Sequence, residues 1–169
     1  MAPTDCYMTH AMIVREAAPT DHEAMSALCE QVDALHAEAR PDVFCDPPTP
    51  GRSVAYFDSR REEQGAAAFV AELDGLVVGC AIVRLNVIPD IPILRAGRFA
   101  YLEEVVVARQ CRHRGVGEAL MRRVEDWARN RQVARLELTA WEFNRGAIEF
   151  YQALGYATNY RRMGRNLSE

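Results

Sequence analysis

The chain has 169 residues, a length that suits one domain with a substantial core. Apolar residues make up 49% of it and charged residues 26%, proportions that exclude collagen, a coiled coil and intrinsic disorder. No apolar run reaches the roughly 18 residues that a membrane span needs, and residues 1–11 lack the regions of a signal peptide. We therefore expect a cytoplasmic protein without a membrane partner, in which residues 1–11 form a disordered extension and residues 12–169 a single domain.

The charges are distributed unevenly along the chain. All 20 basic residues are arginine; residues 1–104 hold 8 of them against 17 acidic residues, and residues 105–169 hold 12 against 7. Two interpretations fit this asymmetry. The charges are distributed at random over the surface, or a wall that accepts cations faces a wall that accepts anions. The five cysteines form no CxxC pair and the four histidines no HxxxH pair, so we expect neither a disulfide framework nor a metal site.

The predicted elements follow from periodicity and from turn signals. Thr20 and Glu23 have capping-box spacing at the start of a helix, residues 40–51 are rich in proline, and Asp74-Gly75 between apolar runs predicts a hairpin. In chain order, we predict a strand at 12–18, a helix capped by Thr20 that ends near Ala39, a helix at 53–64, strands at 67–73, 76–87 and 99–108, a helix at 115–131, a strand at 133–141, a helix at 145–154 and a strand at 156–163.

This order predicts an α/β fold in which helices flank a mixed sheet. The central hairpin makes part of the sheet antiparallel. The strand–helix–strand unit over residues 99–141 should add a parallel, right-handed crossover.

The turn at residues 109–117 has the features of an anion site. Gly115 and Gly117 leave the backbone bare where a helix begins, so free amides and the positive end of the helix dipole face outward beside three arginines. A P-loop would need Lys and Ser/Thr after its last glycine, and a dinucleotide fingerprint would need a third small residue at Leu120. What remains is the pattern R-x-x-G-x-G.

Two segments carry a resemblance to a known family. Arg112-x-x-Gly115-x-Gly117, between a strand and a helix, resembles the pyrophosphate loop of the GNAT superfamily of N-acetyltransferases. The segment from Asn144 to Tyr156 is similar to the family pattern N-x-x-A-x-x-F-Y-x-x-x-G-F/Y at every marked position. The resemblance covers about residues 12–163, and on it the chain is identified as a member of this superfamily.

The resemblance implies a mixed, mostly antiparallel sheet flanked by helices, with splayed central strands that form the cleft for acetyl-CoA. It implies that acetyl-CoA is the co-substrate, that its pyrophosphate lies on the glycine loop and its pantetheine arm along the end of strand 99–108, and that a homodimer is an open possibility by analogy. The residues matched to co-substrate binding are Val105, Val106, Val107, Arg112, His113, Arg114, Gly115, Val116, Gly117 and Asn144, of which Asn144 has a helix N-cap as its alternative or additional role.

The resemblance also implies the chemistry. Tyr151 would act as the general acid on the departing thiolate, with aromatic packing as its alternative role, and Val106 and neighbouring amides would stabilise the oxyanion. Tyr101-Leu102-Glu103-Glu104 resembles the matching segment of spermidine/spermine acetyltransferases, which makes Glu103 the expected base and Glu104 a substrate anchor or a structural acid. Since adjacent strand residues point to opposite faces, we expect at most one of the two glutamates to face the cleft.

The acceptor is expected to be the primary amine of a small cationic molecule. Asp42 and Asp46, in the loop matched to the family's substrate-covering loop, would attract a cation, whereas the alternative is a solvated connector. Acetylation of a peptide or protein, and a non-catalytic acyl-CoA sensor, are the other interpretations. The arginines of residues 109–135 could bind nucleic acid, but the acids on the same helix and the net charge of −4 argue against it.

Overall fold

The computed structural model describes residues 11–46, 51–165 and 167, so residues 1–10 of the expected extension lie outside the described part. The elements are β1 (Met12–Glu16), α1 (His22–Ala39), α2 (Val54–Glu62), β2 (Ala66–Leu73), β3 (Leu76–Val87), β4 (Arg98–Val107), α3 (Val116–Asn130), β5 (Leu136–Leu138) and α4 (Arg145–Ala153). Among the described residues, no helix is both long and apolar enough to cross a membrane.

The five strands form one mixed sheet in the order β1-β2-β3-β4-β5. The first four pair antiparallel, and β5 pairs parallel to β4 after the crossover through α3. The predicted α/β class, the mostly antiparallel sheet and the parallel crossover are therefore confirmed. The predicted hairpin is also confirmed, because Asp74 and Gly75 join β2 to β3 with φ values of 50° and 82°, as a tight hairpin turn of right-handed twist requires.

Helices cover both faces of the sheet. A Cβ built on Gly79 of β3 would lie 3.0 Å from Leu120 Cδ1 of α3 and 3.0 Å from the Val106 carbonyl oxygen, so α3 packs close against one face. On the other face, Cys80 of β3 lies next to Cys29 of α1, and both residues are fully buried, so α1 packs against this face. The core thus lies on both sides of β2 to β4, whose central residues are fully buried.

The capping prediction for the first helix is wrong. Pro19–Asp21 forms a short 3-10 turn, and Asp21 instead of Thr20 is the residue that precedes α1. The Asp21 carboxylate accepts hydrogen bonds from the Ala18 amide at 2.7 Å and from Arg15 at 2.7 and 3.0 Å. These charge-assisted bonds stabilise the buried carboxylate and the turn. The neutral hydroxyl of Thr20 could not replace them.

The chain divides into two compact units, one ending at Thr139 and the other beginning at Ala140. In the second unit, α4 is followed by residues 154–165, which contain neither helix nor strand. The predicted last strand at 156–163 is therefore wrong, and the strand predicted at 133–141 shrinks to three residues. Tyr160 and Met163 are 75% and 91% exposed, so the alternation of this segment does not reflect a buried face.

Candidate functional site

The glycine turn before α3 has the geometry of an anion site. Gly115 precedes the helix with φ 79°, a left-handed conformation that favours glycine, and no side chain caps the helix N-terminus. The first amides of α3 therefore lack partners within the helix and are available to an anion. Arg112, His113 and Arg114 are exposed in this turn, whereas the side chain of Val116 is buried, so that Val116 can contribute only its backbone amide.

The second half of β4 has one open edge. β5 pairs with β4 only over Ala100–Leu102, whereas β3 pairs with β4 as far as Val107. Beyond Leu102, no described strand covers the other edge of β4, and the predicted separation of the two central strands is confirmed. An extended ligand arm could pair with this edge as an added strand does.

The open edge presents the backbone of Val105 and Val107 and not that of Val106. The Ala108 amide donates to the Val78 carbonyl of the neighbouring chain segment at 2.8 Å. Because alternate residues of a strand direct their amides to the same side, the Val106 amide also points towards β3. The Val107 carbonyl accepts a hydrogen bond from Arg112 Nε at 3.2 Å, so this arginine links the glycine turn to the open edge.

A β-bulge places the two glutamates of β4 on the same face of the sheet. Leu102 pairs with Val83 and Glu104 with Ile82, which leaves Glu103 as an extra residue. Leu102 and Glu104 consequently face opposite sides, and Glu103 lies on the side of Glu104. The bulge interrupts the alternation from which we expected at most one glutamate to face the cleft, so the two glutamates share one face of the sheet. Which of them faces the cleft stays a prediction.

Glu103 lies between two arginines. Its Oε1 accepts a hydrogen bond from Arg84 Nε at 2.6 Å, and its Oε2 lies 3.3 Å from Arg60 Nε. This second contact has no hydrogen-bond geometry, and neither Oε2 nor Arg60 Nε has another hydrogen-bond partner among the described residues, although both atoms are buried. A buried carboxylate oxygen with an unfilled acceptor position is uncommon, and it can accept a proton or a water.

Glu104 is paired with a single arginine that also holds an acid of α1. Arg52 Nη1 donates to Glu104 Oε1, while Arg52 Nε and Nη2 donate to the two oxygens of Asp33 at 3.1 and 2.5 Å. Burial raises the pKa of Glu104 above its ordinary value, and the charge of Arg52 opposes this rise. Glu104 is thus a largely buried carboxylate whose ionised form is favoured mainly by Arg52.

Tyr56 of α2 connects the two carboxylate clusters. The guanidinium groups of Arg52 and Arg60 lie 5.2 and 5.3 Å from the centre of its ring. Its hydroxyl accepts a hydrogen bond from Arg52 Nη1 at 3.1 Å, and burial raises its pKa. The ring therefore holds the cations that face Glu103 and Glu104.

A cavity of about 570 Å³ opens between α1 and α2, a size typical of sites for small organic ligands. Asp33, Phe44, Asp46 and Arg52 are among its lining residues. Asp42 is not among the lining residues, and each of its two oxygens accepts a hydrogen bond from Arg40 at 2.7 Å. Of the two aspartates predicted to bind substrate, the structure places only Asp46 at the cavity.

The C-terminal unit holds the two residues of the second motif. Asn144 caps α4, and its Oδ1 accepts a hydrogen bond from the Ala147 amide at 3.2 Å, so the N-cap role is confirmed. Tyr151 lies on α4, half-buried, with its ring centre 5.3 Å from that of Phe150 and 5.9 Å from that of Tyr156.

Sequence reasoning did not find the groups that surround the two glutamates: Asp33, Arg52, Tyr56, Arg60 and Arg84. One signal was present, because Arg84 interrupts an apolar strand and a buried arginine needs an acidic partner. The other four lie on α1, on α2 or just before it, where polar residues are ordinary and no motif marks them.

The comparisons with known proteins agree with this geometry. The Acetyltransferase (GNAT) family matches residues 30–156, more than half of the chain. An uncharacterized N-acetyltransferase of Methanocaldococcus jannaschii is 35% identical over 97 residues, 57% of this chain and 41% of that protein. Streptothricin acetyltransferase A of Bacillus subtilis is 31% identical over 90 residues, 53% of this chain and 47% of that protein. The matched region thus spans less than half the length of either relative.

A solved structure shows the same fold. The aminoglycoside N-acetyltransferase AAC(6′)-Iy in complex with CoA superposes with a TM-score of 0.76 at 21% identity, covering 95% of this chain and 97% of that one. The match to the family model confirms the predicted enzyme class at the level of the family, and acetyl-CoA is the co-substrate that the family uses. With the glycine turn, the open edge of β4 and the family match in agreement, the chain belongs to the Acetyltransferase (GNAT) family.

Proposed function

We propose that this protein transfers an acetyl group from acetyl-CoA to a primary amine of a small cationic molecule. The observation that carries the proposal is the bulge of β4, which sets the buried carboxylates of Glu103 and Glu104 on one face with an unfilled acceptor position at Glu103 Oε2. Asp33 and Arg52 line the cavity, and Arg52 donates a hydrogen bond to Glu104, which supports an acceptor site beside the two glutamates.

Acetyl-CoA would bind at the glycine turn and along the open edge of β4. The uncapped N-terminus of α3, with Arg112, His113, Arg114 and Gly115 to Gly117, supports its role as the pyrophosphate site. The open edge at Val105 to Val107 supports pairing with the pantetheine arm. Asn144 is assigned to the same ligand through its motif, and it can cap α4 at the same time.

The reaction begins with the loss of a proton from the acceptor ammonium. For an amine with a pKa of about 10.4, deprotonation at pH 7 costs about 4.6 kcal/mol. Glu103 Oε2 takes this proton, directly or through a water, and the freed nitrogen attacks the acetyl carbonyl carbon. The Val105 and Val107 amides at the open edge, and not that of Val106, are directed to stabilise the developing oxyanion.

The step is completed when the C–N bond has formed and the C–S bond breaks. Tyr151 donates its phenolic proton to the departing thiolate, and the attacking nitrogen loses its second proton, which returns to Tyr151 through solvent. The products are CoA and the N-acetylated amine. No covalent intermediate on the enzyme is required. The assignment of Tyr151 rests on its place in the second motif.

The cavity favours a cationic acceptor. Asp33 and Asp46 contribute negative charge to its wall, and the rings of Phe44 and Tyr56 offer faces that attract cations. Arg52 offsets part of that charge, which leaves Asp46 as the carboxylate for which no ion pair is found among the described residues. Asp46 and, through Arg52, Glu104 are therefore the proposed substrate-binding acids, and Asp42 would act only at the entrance.

The activity is tested by acetyl-CoA-dependent thiol release with polyamines, aminoglycosides, amino acids and basic peptides. We expect release with small cationic amines, reduced by about 100-fold or more in Glu103→Gln and also reduced in Tyr151→Phe. Glu62→Gln, whose side chain is 72% exposed on α2, is the matched control and should leave release unchanged. The chain contains no lysine, so acetylation of its own lysines cannot mimic turnover.

The same assay separates the remaining interpretations. Release confined to peptides would assign the chain to protein or peptide acetylation. Tight acetyl-CoA binding without release, unaffected by Tyr151→Phe, would indicate a non-catalytic sensor. Full activity in Glu103→Gln would remove this residue as the base.

The acceptor cavity has a test of its own. Cys45 is exposed and lines the cavity, whereas the described cysteines Cys29, Cys80 and Cys111 are buried. In a Cys6→Ser background, a saturating acceptor should slow the reaction of Cys45 with a thiol reagent, and Asp46→Asn should weaken this protection. An acceptor that gives turnover but leaves the labelling rate unchanged would place its binding elsewhere.

The homodimer and the cytoplasmic location stay predictions. Light scattering on the purified chain decides the first, since a dimer has twice the 19.0 kDa mass of the monomer.

A further inference from the structure

Arg52 makes more polar contacts with the site than its place in an irregular segment suggests. Its guanidinium donates two hydrogen bonds to Asp33 of α1, one to Glu104 of β4 and one to the Tyr56 hydroxyl of α2. The side chains of Arg52, Asp33 and Glu104 are 17%, 23% and 16% exposed, so the cluster is largely withdrawn from water. One cation therefore joins three separate elements.

Only an arginine can make this set of contacts. The planar fork of Arg52 reaches both oxygens of Asp33 from one edge and Glu104 and the Tyr56 hydroxyl from another, while its Cζ lies 5.2 Å from the centre of the Tyr56 ring. A lysine ammonium carries a similar charge as a compact point and cannot bond two carboxylates in this arrangement.

We infer that Arg52 is a positioning residue of the acceptor site, which ties α1 and α2 to the bulge of β4 and balances the buried charge of Glu104. The inference relies on the proposed function only in naming the cavity an acceptor site. The bridge itself, which connects the cavity wall to the bulge, is a property of the structure.

The electrostatic consequence follows from all the groups that face Glu104. These groups are Asp33 and His36 from α1, Arg52 from the segment before α2, Tyr56 from α2, Cys80 from β3 and the adjacent Glu103 on β4. Burial raises the pKa of Glu104 and Asp33 adds to the rise, whereas Arg52 and His36 lower it. Without Arg52, Glu104 would lose the group that contributes most to keeping it ionised, and it would take up its proton at higher pH.

The test measures Glu104 directly. Carboxyl ¹³C NMR titrations compare the wild type with Arg52→Gln and Arg52→Lys, and the Glu104 signal is assigned by its loss in Glu104→Gln. We expect the Glu104 midpoint to rise by about one pH unit or more in Arg52→Gln, and by less in Arg52→Lys. Arg61→Gln, an arginine of α2 whose ion pairs with described residues are those with Asp58 and Glu62, is the matched control and should leave the midpoint in place.

A second readout follows the acceptor. In Arg52→Gln, the KM of the acceptor should increase as the pH falls through the new Glu104 midpoint, while the KM of acetyl-CoA stays constant. The double variant Arg52→Gln/Glu104→Gln should lose this pH dependence, because the group that titrates is gone. A uniform loss of kcat at every pH would indicate a merely structural arginine and would overturn the inference.

The outcomes distinguish a failure of the inference from a failure of the proposed function. An unchanged Glu104 midpoint in Arg52→Gln refutes the bridge, whether or not the chain acetylates an amine. An absence of thiol release in the wild type refutes the proposed function and leaves the titration readable. If circular dichroism shows that Arg52→Gln is unfolded, Arg52→Lys decides, and an identical Glu104 midpoint in that variant overturns the inference.

Discussion

Replacing Gly115 with alanine tests the backbone conformation of the glycine turn without introducing a steric clash. Gly115 has φ 79°, and no atom lies within 4 Å of a Cβ built on it. The added methyl group therefore meets no clash, and the cost is that of a left-handed backbone, about 1–2 kcal/mol for an alanine. The same free energy must appear either in the stability of the fold or in the affinity for the ligand of the turn.

Two limits describe how Gly115→Ala distributes this cost. If the alanine keeps the left-handed conformation, the free energy of unfolding falls by about 1–2 kcal/mol and the affinity for CoA is unchanged. If the backbone rotates to relieve the strain, the amides at the start of α3 turn away from the ligand. The affinity for CoA then falls by roughly 5- to 30-fold, because 1.4 kcal/mol is a factor of ten.

Urea unfolding and calorimetric titration with CoA measure the two quantities together. Gly146→Ala is the matched control, because its Cβ also meets no atom within 4 Å and Gly146 lies in α4 without a left-handed backbone. That variant should be as stable as the wild type or more stable by up to about 1 kcal/mol. If Gly115→Ala loses neither stability nor affinity relative to this control, the reasoning about the turn is wrong.

Two further substitutions test contacts that stabilise the fold. Asp21→Asn should destabilise the fold by about 1–3 kcal/mol at neutral pH. Because Arg15 lowers the pKa of Asp21, the difference from the wild type should decrease as the pH falls below about 4. In pH-dependent melts Asp42→Asn should show a much smaller change, because the ion pair of Asp42 with Arg40 is exposed to solvent. Gly79→Ala should cost about 1–3 kcal/mol in urea, since its Cβ meets a backbone carbonyl at 3.0 Å, whereas Gly164→Ala meets nothing and should be neutral.

The sequence was sufficient for the order of most elements, because local signals determine them. The positive φ angles at Asp74 and Gly75 follow from the residue types, and the buried positions of α3 follow its helical periodicity. The strand at 156–163 failed because alternation does not show whether a neighbouring strand is there to pair with it. A strand depends on a partner, and the partner is not a local property.

The site was predictable only where a motif marks it. Glu103 and Gly115 lie in patterns that resemblance could match, so their places were found. The bulge at Glu103 could not be read, because an extra residue in one strand exists only relative to the register of the next. Arg52 lies 52 positions before Glu104, and no spacing in the sequence connects a residue of an irregular segment to a strand so far along the chain.

The last test concerns Tyr56, because its ring and its hydroxyl make different contacts with the arginines. Tyr56→Phe removes the hydroxyl, which accepts a hydrogen bond from Arg52 and also interacts with Arg60, and it keeps the aromatic ring near both guanidinium groups. Arg52 keeps its two carboxylates. We expect a cost of about 1 kcal/mol or less for that loss and an unchanged acceptor KM. Tyr56→Leu keeps an apolar side chain but removes the π face, which is worth about 0.5–2 kcal/mol for each cation.

In Tyr56→Leu, the arginines that face Glu103 and Glu104 therefore lose a common support, and the acceptor KM should increase while the KM of acetyl-CoA stays constant. Steady-state kinetics and urea unfolding of the two variants, measured side by side, distinguish the roles. Equal effects of Phe and Leu on the acceptor KM would mean that the hydroxyl, and not the ring, holds the arginines. The cation stacking would then be a consequence of the ion pairs and not one of their supports.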